Sequence, residues 1–292
     1  MSGSPIIYNV YPKIPDFAPV FRLLPLRRAV VPYFLEFSYG LIILCPNLKF
    51  IRIMDTALRT VCGFGDSVMK GIVVDKDNSP VDGLKYKISD MGFAARCRRS
   101  LGIEVENFAR FGGMVTHGMK FVDRYAERIK QADYVIFEYG GNDCDYNWAE
   151  IAQNPDDEHH PNVPIELFSE RYRELIDKVK MLGARPVLLT LPVLDPERYF
   201  RFFSKGLNGD NILRWLHGSV LNIDRWHERY NMEVVRLGVL THTPVIDITS
   251  VFLEKRNYSD YLCEDGIHPN EAGHRLIEEA IMSYLRKENM IA

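Results

Sequence analysis

The sequence predicts an α/β fold: one mostly parallel sheet with helices on both faces. Three observations carry this. Short apolar runs of strand type recur at 60–64, 104–108, 134–137, 186–191 and 244–248. The stretches between them have helical spacing, which makes βαβ crossovers the simplest connection. The residue groups that could carry chemistry fall just after a predicted strand or open a helix, where such sheets place their sites.

The first strand, 60–64, runs into Gly63-Phe64-Gly65-Asp66-Ser67-Val68-Met69, a sharp turn feeding a helix N-terminus, and Lys70-Gly71 then leads into a polar loop. Residues 84–101 have helical spacing, with Leu84, Ile88, Met91, Ala95 and Cys97 near one side and Gly102 as the stop. The second strand follows at 104–108. A helix is expected over 118–131, with Met119, Phe121, Val122, Tyr125 and Ile129 as its apolar set. The run at 134–137 is of buried-strand type. Pro164 opens a helix that Gly183 closes. A strand over 186–191 stops at Pro192, and one long helical region covers 211–240. The last strand, 244–248, precedes a closing helix over 270–286.

Composition bounds the rest. The chain has 292 residues, 47% hydrophobic and 26% charged, which is ample for a large core. A formal net charge of -3 offers no basic field for nucleic acid. Cys45, Cys62, Cys97, Cys144 and Cys263 are odd in number and lack metal spacing, so they read as reduced thiols of a cytoplasmic protein. The histidines at 159 and 160 also lack ligand partners at metal spacing, and no metal or organic cofactor is expected.

Residues 1–53 are unlike the remainder of the chain, and 54–292 read as one domain of alternating strand and helix patterns. Five prolines precede residue 26, and Arg27-Arg28 then flank an apolar stretch over 29–45. About 17 residues is at the bottom of the spanning range. Glu36, Pro32 and Gly40 interrupt the stretch, so a packed extension is favoured over a membrane anchor. A third option is that Met54 is the natural start. The sequence leaves the oligomeric state open.

Four groups stand out along the domain. Ser67 follows a turn where helix N–H groups lie close to stabilise negative charge, although Asp and Ser there also suit an ordinary helix cap. Asn107 to Gly113 ends in a Gly-Gly pair able to present a backbone N–H. Gly140-Gly141-Asn142-Asp143 follows the 134–137 strand; the Asn amide could stabilise an oxyanion or simply close an Asx turn. Asp265-Gly266-Ile267-His268-Pro269 places an acid and an imidazole three apart, with Glu264 as a rival carboxylate.

In this order, the four groups resemble the blocks of the SGNH subgroup of the GDSL esterase and lipase superfamily. The resemblance covers about residues 58–288 and implies a three-layer α/β/α sandwich with a flavodoxin-like sheet. It also implies roles: Ser67 as nucleophile, His268 as base and Asp265 as its orienting acid. The oxyanion hole would come from the Ser67 and Gly112 N–H groups and the Asn142 side chain. Because Gly113 follows Gly112, a turn shifted by one would make Gly113 the donor. The expected activity is hydrolysis of a small-molecule ester. Aromatics after Asn142 (Tyr146, Trp148) and at Tyr199, Phe200, Phe202 and Phe203 lean the substrate toward an acetylated carbohydrate. Lysophospholipase or thioesterase chemistry is the alternative, and a non-catalytic binding module the remote one.

Overall fold

The computed structural model describes residues 58–80 and 83–291, together with the backbone of two strands, β1 (Tyr33–Phe37) and β2 (Gly40–Leu44). The chain separates into two compact units, Met1–Asp55 and Thr56–Ala292. In the first, β1 and β2 pair antiparallel, with Tyr33 opposite Leu44. The choice between packed extension, membrane anchor and mis-assigned start otherwise falls outside the described residues. Among the described residues no helix is long and apolar enough to cross a membrane.

The second unit begins with β3 (Thr60–Gly65), the short helix α1 (Ser67–Lys70), and the strands β4 (Ile72–Val74) and β5 (Tyr86–Ile88). Then come α2 (Phe93–Leu101), β6 (Glu104–Asn107), α3 (Val115–Arg124), α4 (Ala126–Ile129) and β7 (Tyr134–Glu138). After these lie α5 (Trp148–Gln153), α6 (Ile165–Met181), β8 (Arg185–Leu189), α7 (Pro196–Phe203) and α8 (Gly209–Trp215). The chain closes with α9 (Leu221–Thr241), β9 (Val245–Ile246), α10 (Ser250–Leu253) and α11 (Glu271–Lys287).

The main sheet is wholly parallel, in the order β6-β3-β7-β8-β9. Counted along the chain this is 2-1-3-4-5, the flavodoxin-like order, in which ligands bind beside the first strand at the carboxyl ends. Both faces are buried, as alternation in the strands requires. Cys62, Phe64, Val135, Phe137 and Leu188 enter one core with α3, α6 and α9. Val187, Leu189 and Ile246 enter the other with α2 and α11. The three-layer expectation is therefore met.

Four expected elements differ. Residues 84–88 are not helical: β5 pairs antiparallel with β4, Ile88 opposite Ile72, in place of the polar loop expected after Gly71. The turn is made by Ser89, whose N–H donates to Gly71 O (2.8 Å) and whose hydroxyl accepts from Met91 N (3.0 Å), so α2 starts only at Phe93. The 118–131 helix starts earlier and breaks at Tyr125, whose ring stacks on Phe108 at 3.9 Å. The 211–240 region divides into α8 and α9, because His217 and Gly218 both take positive φ. The short helices α5, α7 and α10 lacked enough length to show a period.

Asn270 caps α11 as its place before the closing helix suggests. Its Oδ1 accepts from Ala272 N (3.0 Å) and Gly273 N (3.1 Å), while its Nδ2 donates to Asp260 O and Leu262 O. Asn270→Ala is expected to lower stability by ~1 kcal/mol, with a fall in Tm of about 2–4 °C. Thermal unfolding followed by circular dichroism checks this.

Candidate active site

The site is built where β3 and β7 end side by side. Their register sets Gly65 opposite Glu138. A side chain at 65 would meet the Glu138 carbonyl at 2.4 Å and Met69 Cβ at 2.9 Å, so only glycine lets α1 fold back over the strand end. Asp66 caps α1, its Oδ1 accepting from Val68 N at 2.8 Å. Ser67 is the first helical residue and is nearly buried.

The loop before α11 brings Asp265 and His268 to Ser67 across 201 positions of sequence. His268 Nε2 lies 2.8 Å from Ser67 Oγ, and its Nδ1 lies 2.7 Å from Asp265 Oδ2. Asp265 is fully buried, and its Oδ1 accepts from Ile267 N and His268 N, both at 3.0 Å. Burial alone would raise its pKa. The bonds and charge of His268, with these backbone donors, outweigh that and hold the carboxyl below its ordinary range. Glu264, the rival acid, instead forms an ion pair with Lys76 (2.7 Å) and stays 47% exposed.

Asn142 follows β7 and donates its Nδ2 to Asp66 Oδ2 at 3.0 Å. Its carbonyl accepts from Asn162 Nδ2 (2.9 Å), which pins the loop. Asp143 runs the other way: it is fully buried, and its Oδ1 accepts from Val115 N (2.9 Å). Burial pushes its pKa up to about 7.

The Gly-Gly turn after β6 packs against the strand end. A Cβ on Gly113 would meet Gly65 O at 2.6 Å and Asp66 Cα at 3.2 Å. The Gly113 N–H closes a turn onto Arg110 O (3.0 Å), whereas the Gly112 N–H has no partner among the described residues. Asn107 fastens this segment to the helix: its Nδ2 donates to Met69 O (2.7 Å) and its Oδ1 accepts from Ala109 N (3.0 Å).

Three further neighbours were not singled out by the sequence pattern. Tyr86, on β5, donates its hydroxyl to Asp265 Oδ2 (3.0 Å), and its ring lies 5.1 Å from that of His268. Phe111 stacks near His268 at 5.9 Å and is 56% exposed, an apolar wall open to a bound ligand. Glu138, at the end of β7, accepts from Met69 N (3.2 Å) and lies against Asp66. A lone acid closing an apolar strand was the one available signal for it. Residues 86–88, by contrast, sat inside an apparent helical period that hid Tyr86.

Beyond Asn142, a separate apolar cluster joins α5, α7, α8 and the start of α9 to Ile267. Asp145 ties it together, accepting from Trp148 Nε1 (2.8 Å) and the Tyr199 hydroxyl (2.7 Å). Tyr146, Trp215 and Trp226 are half-buried, with ring centres 5.0 Å apart in each pairing. No cluster of three or more potential metal-binding side chains occurs among the described residues.

Comparison with known proteins agrees with this architecture. The model of the GDSL-like lipase/acylhydrolase family matches residues 64–276. Protein YpmR of Bacillus subtilis, itself uncharacterised, is 25% identical over 236 residues, covering 79% of this chain and 82% of its own. A lipase/acylhydrolase of Enterococcus faecalis superposes with a TM-score of 0.53 at 19% identity, covering 79% of this chain and 96% of that one. A point mutant of Axe2, an acetyl-xylooligosaccharide esterase of Geobacillus stearothermophilus, gives a TM-score of 0.51 at 19% identity, covering 78% and 93%. The family match spans well over half the chain, so this protein belongs to the GDSL-like lipase/acylhydrolase family and is a hydrolase of ester bonds.

Proposed function

We propose that residues 54–292 form a serine esterase working through an acyl-enzyme, with acetylated carbohydrate as its substrate class. The observation that carries the mechanism is the Asp265–His268–Ser67 chain of hydrogen bonds at 2.7 and 2.8 Å. Ser67 Oγ attacks the ester carbonyl while His268 Nε2 takes its proton. Asp265 holds the imidazole tautomer with Nδ1 protonated and stabilises the imidazolium. The tetrahedral oxyanion is received by the Ser67 N–H, the Gly112 N–H and the Asn142 amide. His268 then gives its proton to the departing alcohol. Water, deprotonated by the same imidazole, attacks the acyl-enzyme and releases the acid, restoring Ser67.

Gly112 is preferred over Gly113 because the Gly113 N–H is already engaged with Arg110 O. The carbohydrate reading draws on the half-buried trio Tyr146, Trp215 and Trp226, whose rings could stack on sugar faces. The acetyl-xylooligosaccharide activity in the name of Axe2 points the same way. The free thiols Cys62, Cys97, Cys144 and Cys263, all buried, suit a cytoplasmic location.

A fluorophosphonate probe is expected to label the wild type and not Ser67→Ala. Turnover of p-nitrophenyl esters is expected to fall steeply from acetyl toward palmitoyl, with acetate released from acetylated xylooligosaccharides. A maximum at long acyl chains would replace the carbohydrate reading with a lysophospholipase-type one. Absence of labelling in folded wild type would sink the nucleophile assignment. Asn142→Ala is expected to lower kcat by ~10²–10³ through loss of one oxyanion donor; steady-state kinetics on p-nitrophenyl acetate read this. Asp265→Asn is expected to cost about 10⁴ in kcat, as tautomer loss does in serine protease triads. Glu264→Gln should stay near wild type in the same assay, and the reverse pattern would reassign the orienting acid.

A further inference from the structure

We propose that Glu138 is a positioning residue: a neutral carboxylic acid that donates its proton to Asp66 and so aims the Asn142 amide into the oxyanion hole. The inference rests on the esterase reading above and assigns the acid beneath it.

Asp66 and Glu138 are both almost wholly buried, and their carboxyl groups lie against each other where β3 and β7 end. Two ionised carboxylates have no donor between them, so one proton must lie in this contact. Asp66 already accepts two N–H groups, Val68 N on Oδ1 and Asn142 Nδ2 on Oδ2. These short bonds on both oxygens favour its ionised form against the burial that raises its pKa, whereas Glu138, which also meets the Asp66 backbone, takes Met69 N at a longer 3.2 Å. The proton therefore belongs on Glu138. Burial first, and then the charge of Asp66, push the Glu138 pKa well above the carboxylate range.

The surroundings leave this assignment in place. His268 is the cation that would face Asp66 when protonated, and it acts to keep Asp66 ionised. Asp143 adds a further acidic group on the Asp66 side, while Tyr139 and Tyr172 face Glu138 as phenols whose own ionisation burial opposes.

The consequence is geometric. An ionised Asp66, fixed by Val68 N on one oxygen and steadied by Glu138, can accept only from the Nδ2 side of Asn142. That forbids the flipped amide, which would present oxygen to oxygen. The second N–H of Asn142 is then left for the substrate oxyanion.

The test uses the full chain with Glu138→Ala and Glu138→Gln. Glu138→Ala is expected to lower kcat on p-nitrophenyl acetate by ~10², the scale of a misplaced catalytic group, with little change in KM. Glu138→Gln, which keeps a donor toward Asp66, is expected to recover most of that loss. At neutral pH the wild-type-minus-Glu138→Gln infrared difference should contain the carbonyl band of a protonated carboxylic acid; the subtraction removes any contribution from Asp143. Wild-type turnover in Glu138→Ala, or no such band in the difference, would overturn the proposal. If wild type hydrolyses no ester, the esterase reading fails separately. The Asn142 side-chain amide resonance, shifted in Glu138→Ala and restored in Glu138→Gln, still reads the positioning; an unmoved resonance would overturn it. Should Glu138→Ala not fold, the band and the turnover of Glu138→Gln decide alone, and loss of turnover in Glu138→Gln would count against the proposal.

Discussion

The site depends on the parallel pairing of β3 with β7 at the centre of the sheet. That pairing brings Gly65 level with Glu138, and so sets Ser67 and Asn142 next to each other at the carboxyl ends. The close approach leaves no room for a side chain at Gly65. It also makes Asp66 a shared acceptor: one oxygen belongs to the helix that begins at Ser67, the other to the loop that carries Asn142. A single carboxylate thus holds two strand ends in register, which backbone pairing could not do beyond the last ladder bond.

Buried acids perform this joining repeatedly. Asp265 gathers two backbone N–H groups, the His268 ring and the Tyr86 hydroxyl. Asp143 accepts from the first residue of α3, and Asp145 binds α5 to α7 through Trp148 and Tyr199. Asp265 and Asp143 are cut off from water, where an unpaired charge would be costly. Where N–H donors and a histidine surround the group, as at Asp265, ionisation is favoured. Where the neighbour is another acid, as at Glu138, ionisation is opposed. The same chemical group therefore takes opposite roles within one site, and environment alone separates them.

Much of this was legible in the residues, for physical reasons. Strands buried on both faces must be apolar runs, so β3, β7 and β8 announced themselves. Ser67, Asn142, Asp265 and His268 lie after strands or before a helix, where the chain must turn and where side chains of those types are common enough to notice but ordered enough to compare. Other features left no trace. Tyr86 and Ile88 alternate as a strand requires, yet three residues cannot outvote the helical period of the flanking sequence. The break between α8 and α9 rests on His217 at positive φ, which composition does not signal. Glu138 could be seen but not interpreted, because its role comes from Asp66, 72 positions earlier and adjacent only through sheet pairing.

The hydrogen bond between Ser67 and His268 spans 201 positions. It closes the chain almost end to end within this unit, since only α11 follows the loop that carries His268. During synthesis the serine emerges early and the imidazole late. Until the final loop docks, Ser67 is an ordinary alcohol with no base beside it. The proposed reactive centre therefore depends on a contact of very high sequence separation, the kind that is costly to close early in folding. With Ser67 as the proposed nucleophile, its activation would double as a report that this loop has docked, and a chain truncated before His268 would lack the base beside it.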